Sequence, residues 1–325
     1  MAEADPGVVP VARNAASRVS HAPMSARLLK QIRTAVEQLN PHDVRMAAER
    51  PVSVVLHASG SASYAAMEDF FAPAGVSHKK RMEVVEYLFR EGDHDAPPDA
   101  DLHVVDRSLA FQVGGDGLDL PPGTFVYDEQ RPHALVEAVL AARQDLGLPL
   151  ARAFPPFRGT VSQRTIHQIS KENAVFALAT ALPDIAPGVL SLPWALPEAM
   201  SDTAVLTVNQ IRMAFLLAAA SDRPVGYREQ KMEVAGIIAG AFGWRALARN
   251  LVGKIPFGGG LLPKAAIAYA ATYAEGRSIE RLYSRGYGLT RKERNLEYGS
   301  AMARGRQVVG ALYDAWQQRR AKALR

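Results

Sequence analysis

Residues 169–305 constrain this chain most: apolar residues recur on most faces of successive helical stretches, and strand signals are nearly absent. A helix that is apolar all round must be covered, either by protein or by lipid. A bilayer span needs about 18–20 apolar residues with few charges. The run at 203–220 contains Asn209 and Arg212, the run at 234–243 stops at Trp244-Arg245, and 255–275 carries Lys264 and two prolines. None is a clean span, so a buried helical core is the favoured reading. Helices are expected at roughly 162–182, 203–221, 229–252, 264–285, 290–305 and 306–322. Thr290, with Glu293 three residues later, forms a capping box that fixes one of these starts.

The first half reads differently. Leu28, Leu29, Ile32, Val36 and Leu39 recur at helical spacing, and Asn40-Pro41 ends that helix. Residues 52–58 (VSVVLHA) form a β-branched run suited to a buried strand. LHVVD (102–106) and GTFVYD (123–128) are two further strands. Helices are expected at 64–71, at 79–90 with Met82, Val85, Leu88 and Phe89 on one side, and after Pro132. Strands alternating with helices imply a parallel sheet. The fold class is therefore α+β overall. A disordered lead-in at 1–24 precedes a small α/β domain at 25–150, Rossmann-like or P-loop-like in its element order. A Pro-containing linker around 150–159 leads to an all-α domain at 160–325 with a basic tail.

Composition narrows the chemistry. Cysteine is absent, which excludes disulfides, thiolate metal sites and a cysteine nucleophile. The N-terminus has no basic segment followed by an apolar stretch, so a secretory signal is not expected and a cytoplasmic location is. The net charge of +5 divides unevenly: residues 1–170 carry 17 Lys/Arg against 21 Asp/Glu, and residues 171–325 carry 21 against 12. The second half is thus +9, and residues 277–325 hold 12 basic and 4 acidic residues interleaved with Tyr and Trp. Such a surface suits an anionic membrane. Nucleic acid is not expected as a partner, because no recognisable binding module accompanies the charge.

The turn after the first strand is where a phosphate loop would sit. That chemistry needs glycines for close backbone approach, a lysine for the phosphates and a hydroxyl for magnesium. The turn reads His57-Ala58-Ser59-Gly60-Ser61-Ala62-Ser63-Tyr64, with one glycine and no lysine. No G-x-x-x-x-G-K-[ST], D-x-x-G or N-K-x-D occurs in the sequence. Ser59, Gly60, Ser61 and Ser63 remain candidates for weak anion contact only. Gly114-Gly115-Asp116-Gly117 lacks dinucleotide-loop spacing, and Asp93-His94-Asp95 reads as a solvated loop. No H-E-x-x-H or G-x-S-x-G is present, so no metal, cofactor or catalytic residue is expected. Gly258, Gly259 and Gly260 join two apolar helices, and Lys254, Lys264, Arg245 and Arg249 nearby could meet an anionic headgroup. Asn209, Gln210 and Arg212 interrupt an apolar helix and are expected to bond across helices.

Four segments carry a resemblance: ISKENAVFALATALPDIAP (169–187), LTVNQIRMAFLLAAA (206–220), EVAGIIAGAFGWRALARNLVGKIPFGGGLLPKAAIAYAATYAEG (233–276) and YSRGYGLTRKER (283–294). Together they resemble the helical C-terminal domain of an uncharacterised bacterial family, which in many relatives follows an Era-like GTPase domain. The lead-in LNPHDVRMAAERPVSVVLHA (39–58) is similar to the entry of that G domain. The resemblance implies a shortened G domain that has lost its nucleotide chemistry. It draws attention to Asn209, Gln210, Arg212, Trp244, Arg245, Lys254, the three glycines and Lys264, without assigning them a role. The functional expectation is a non-enzymatic scaffolding or regulatory protein, peripheral to the inner face of the cytoplasmic membrane or docked on a membrane protein. The alternatives are a divergent GTP-binding switch and a soluble, self-associating adaptor that forms homo-oligomers.

Overall fold

The computed structural model describes residues 26–37, 39–113, 121–180, 201–240 and 261–323. The expected lead-in at 1–24, the glycines at 114–117, and Trp244, Arg245, Arg249, Lys254 and Gly258–Gly260 lie outside these residues. The protein is mostly helical, with one small parallel sheet.

Helices α1 (Ala26–Val36) and α2 (Pro41–Ala48) precede strand β1 (Val54–His57). Asn40 caps α2 by accepting from the His42 N–H, and Pro41 starts the helix where its missing N–H costs nothing. After β1 come α3 (Ser61–Phe71), α4 (His78–Val85), β2 (Leu88–Arg90), β3 (Leu102–Asp106), α5 (Arg107–Val113) and β4 (Phe125–Tyr127). The strand order is β2-β1-β3-β4, all parallel, with Val54 opposite both Leu88 and Leu102 and Val105 opposite Val126.

Strand alternation sorts the side chains. Val54, Leu56, Leu102 and Val104 point to a core shared with Met67 and Phe71 of α3 and with Leu135 and Val139 of α6 (Pro132–Ala142). Val55, His57, His103 and Val105 occupy the opposite face. Residues 79–90 do not form one helix. The helix stops at Val85, and Leu88–Arg90 become the edge strand β2. The stretch expected as a linker is helical and buried. It comprises α7 (Gly147–Ala153) and the start of α8 (Pro155–Ala179), and Phe154 and Phe157 are fully buried against Phe71. Helix α8 is continuous across both cores: Phe157 and Val161 pack on the sheet side, and Ile166, Ile169 and Phe176 lie further along the helix.

The helical part contains α9 (Asp202–Ala220), a helical stretch at 231–240, α10 (Leu261–Arg285) and α11 (Arg291–Ala323). Helix α9 packs against α1, α2, α7, α8 and α10. The two N-terminal helices, expected with the sheet, therefore lie on the helical part; Leu28 and Ile32 meet Ala204, and the Tyr227 hydroxyl donates to the Leu39 carbonyl at 2.7 Å. Residues 290–322, expected as two helices, form the single helix α11 behind the Thr290–Glu293 capping box. Among the described residues α9 alone is long and apolar enough to cross a membrane, and 78% of its apolar window is buried inside the protein. Small residues make that burial possible. A Cβ on Gly276 would lie 2.8 Å from Ile166 Cγ1 and 2.9 Å from Met213 Sδ, so only glycine lets α10 approach α8 and α9 this closely.

Candidate functional site

In an open parallel sheet, ligands favour the crevice at the carboxyl ends of strands whose connections leave in opposite directions. Here β1 leads to β2 on one side, while its other neighbour, β3, leads away to β4. The crevice therefore opens between His57, the last residue of β1, and Asp106, the last residue of β3. The turn 58–60 and the start of α3 form its rim, so Ser59, Gly60, Ser61 and Ser63 lie where a phosphate loop would lie.

The chemistry of that rim is internal. The Ser63 hydroxyl donates to the Asp106 carboxylate at 3.2 Å, and the same carboxylate accepts the Ser108 N–H at 3.1 Å and the Ser108 hydroxyl. A carboxylate thus stands at the first turn of α3, where the partial positive charge of a helix N-terminus favours an anion. Gly60 has an extended backbone, φ −161°, ψ 161°, and a Cβ there would meet nothing within 4 Å. Neither its conformation nor its surroundings demand glycine.

The cations of this edge are engaged. The Arg90 guanidinium makes a two-pronged pair with Glu68, Nε to Oε1 at 2.7 Å and Nη2 to Oε2 at 3.1 Å, and lies over the Tyr64 ring. The hydrogen bonds that Arg90 donates to Glu68, followed by the charge of that carboxylate, raise the Arg90 pKa above its ordinary value. Arg107 and Arg131 both bond Asp128, just after β4. The strand order meets the geometric requirement for a ligand crevice, and the side chains in it satisfy one another.

A second cluster has no motif in the sequence. His57 Nε2 lies 3.0 Å from His103 Nδ1, and His57 Nδ1 lies 3.2 Å from Glu91 Oε2. His57 is buried, and His103 sits one strand over on the same face. Burial lowers the His103 pKa, and the neighbouring His57 lowers it further. Only the β1–β3 register reveals this pairing. Its one sequence-level signal was a histidine in each of the two most β-branched strands.

The interrupting residues of α9 come together with α8 and α10. Asn173 donates to the Thr272 hydroxyl at 2.8 Å, Asn209 donates to Asn173 Oδ1 at 2.8 Å, and Gln210 donates to Thr272 at 3.1 Å. Arg212 pairs with Glu172 at 2.6 Å. The expectation that these residues bond across helices holds. Lys264, at the start of α10, pairs with Asp202 at the start of α9 and reaches the Thr180 hydroxyl at 3.4 Å. It ties together three helix ends while its side chain keeps some exposure.

The turn from α10 to α11 gathers exposed charge. Gly286, φ +84°, ends α10 in the left-handed conformation that favours glycine. Arg285, Arg291, Lys292 and Arg294 are all exposed around this turn. Tyr287 and Leu296 are exposed beside them, at 56% and 67%. The acid at the turn, Glu293, is bonded to Thr290 and Arg281; the hydroxyl and N–H of Thr290, then Arg281, hold its carboxyl down at about 2.

Fold and site together define an α+β protein: a parallel sheet whose crevice-edge side chains bond to one another, packed on helices with a basic corner. Comparison with protein-family models, with curated proteins and with solved structures found no match.

Proposed function

We propose that this chain is a non-enzymatic docking protein that lies on an anionic membrane surface, with the helical part making the contact and the sheet part serving as a rigid body that other proteins read. The observation carrying this reading is the basic corner between α10 and α11. Four exposed cations there surround an exposed tyrosine and an exposed leucine. Basic residues attract an anionic lipid surface at about 1 kcal/mol each, and amphipathic rings and aliphatic side chains settle at the headgroup level. Helix α9, the one described helix long and apolar enough to span a bilayer, does not compete with this arrangement, because it is mostly buried within the bundle. The membrane would be the inner face of the cytoplasmic membrane, and binding would be peripheral.

Co-sedimentation with vesicles tests it. The chain should pellet with phosphatidylglycerol-containing vesicles at low salt, stay in solution with pure phosphatidylcholine, and be released by salt. Replacing Arg285, Arg291 and Arg294 together by Glu should abolish pelleting without unfolding the chain. Equal behaviour with both lipids would end the reading.

A nucleotide switch has one observation in its favour, the position of residues 59–64 at the sheet crevice. The Asp106 carboxylate speaks against it, because a phosphate would have to displace a like charge from the start of α3. Thermal melting with GTP, GDP or ATP plus magnesium should show no shift; a clear rise in melting temperature would reinstate the switch.

A further inference from the structure

A groove of about 420 Å³ runs between α6 and α8. That volume lies within the roughly 300–1,000 Å³ typical of small-molecule sites. Gly159, Thr160 and Gln163 line it from α8, and His133 lines it from α6. Arg164 and Glu137 also line it, but they pair with each other at 2.8 Å and are not offered to a ligand. His167 is the last residue of α8 to line the groove, and it links the groove to a second cluster.

That cluster joins three helices at one ring. His167 Nδ1 lies 2.8 Å from the Tyr269 hydroxyl of α10, and the His167 ring lies 5.0 Å from the Tyr273 ring, centroid to centroid. From α11, the Arg304 guanidinium sits 4.3 Å from the centre of the same Tyr273 ring. An aromatic face attracts a cation, yet it accepts none of the in-plane N–H groups of a guanidinium. Among the described residues Arg304 has no carboxylate partner, and its buried Nε has no hydrogen bond. Arg277 of α10 is otherwise placed, because Glu280 and Glu297 both pair with it. With Nδ1 engaged, Nε2 is the free ring nitrogen of His167, an exposed residue. When Tyr269 donates to Nδ1, the ring proton stands on Nε2 as a second outward donor. Partial burial, then the charges of Arg304 and Arg277, lower the His167 pKa. An anion held by both groups would offset the Arg304 charge and let His167 protonate. The site then presents two cations, which matches a dianion better than a monoanion.

We infer that Arg304 and His167 together bind the dianionic head of a small phosphate monoester, whose organic part lies in the groove between α6 and α8. The guanidinium fork suits two phosphate oxygens, and His167 Nε2 donates to a third. Gly159 leaves the room that the organic part occupies, since a Cβ there would meet nothing within 4 Å. The inference is independent of the membrane reading: none of these residues belongs to the basic corner, and soluble ligands test it, so a failed vesicle assay leaves it standing.

Nuclear magnetic resonance of the histidine rings in the full chain tests it, with His167→Gln assigning the signal. Phenyl phosphate should move the His167 titration to higher pH, saturably. Inorganic phosphate should act in the same direction but bind more weakly, and acetate at equal ionic strength should leave the titration in place. Arg304→Gln should weaken phenyl phosphate binding by about tenfold or more, as expected for a charge-assisted contact. Should that variant fail to fold, Gly159→Leu decides: it enters open space on a helix, fills the groove and leaves Arg304 and His167 untouched. Phenyl phosphate should then bind no better than inorganic phosphate. Absence of a saturable His167 response, an equal response to acetate, equal affinity for the two phosphates in the parent chain, or binding unchanged by Gly159→Leu would each overturn the inference.

Discussion

Polar side chains serve the two regions of this molecule in opposite surroundings. At the carboxyl edge of the sheet, Ser63 bonds Asp106 and Arg107 bonds Asp128 at a partly solvated rim. In the helical part, Asn173, Asn209, Gln210 and Thr272 bond one another in a core where water does not reach. A rim group that loses its partner can turn to water. A buried group cannot, and it bears the full desolvation penalty. The same residue types therefore tune local geometry in one region and specify helix register in the other. The difference also accounts for the burial of so apolar a helix as α9: its polar groups find partners inside, and Gly276 lets α10 come close against it.

The comparison breaks most readily at Glu172. Glu172→Ala would leave Arg212 nearly buried without its carboxylate, a loss of about 3–5 kcal/mol for a buried pair and nearer the lower figure here, where both side chains keep some exposure. Urea unfolding followed by circular dichroism reads this directly. A loss under about 1 kcal/mol would mean that the bundle tolerates an uncompensated charge as the sheet rim would, and the contrast would fail.

Close packing comes next. Gly276→Val forces side-chain atoms into space already held by Ile166 and Met213, and overpacking of this kind costs about 1–3 kcal/mol. The matching change on the sheet side, Gly60→Ala, meets open space in an extended backbone and should leave the melting temperature nearly unchanged. Equal effects from the two glycines would show that the bundle is no more tightly packed than the turn.

At the rim itself, Asp106→Asn keeps one acceptor for Ser63 and removes the charge, so its stability cost should stay near about 1 kcal/mol. The variant sharpens the comparison in a second way. With the carboxylate gone, the start of α3 is released to other anions, and inorganic phosphate should raise the variant's melting temperature more than that of the parent.

Much of this arrangement was legible in the residues, for reasons that differ by element. The β-branched runs at 52–58, 102–106 and 123–128 mark β1, β3 and β4, because buried parallel strands need such runs. Strand β2 escaped because it is only Leu88–Arg90 and follows an amphipathic stretch whose period continues smoothly into it. The split expected at residue 305 failed for the opposite reason. Gly305 is no helix boundary but a packing residue, its Cβ position 3.0 Å from the Ala266 carbonyl oxygen and 3.2 Å from Tyr269 Cβ. The prolines at 150–159 suggest a linker, yet Pro155 starts α8 and the neighbouring phenylalanines anchor it. Asn209, Gln210 and Arg212 stood out because polar residues in an apolar helix need partners. The His57–His103 pair stayed hidden because it depends on strand register, which no local pattern encodes.

That histidine pair yields the smallest expected effect and the finest test of the contrast. Burial and His57 together lower the His103 pKa below its ordinary value near 6.5. The folded chain therefore prefers neutral His103 more strongly than the unfolded chain does. A group with a depressed folded pKa contributes stability above its unfolded pKa and loses that contribution as the pH falls through its folded pKa. Stability should accordingly decline as the pH drops below about 6.5, while the buried amide network of the bundle, which does not titrate, contributes no slope. His103→Gln should flatten the urea-midpoint profile between about pH 7 and pH 5. Identical profiles for the two proteins would assign the decline to other groups and remove the histidine pair from the account of what the sheet face does.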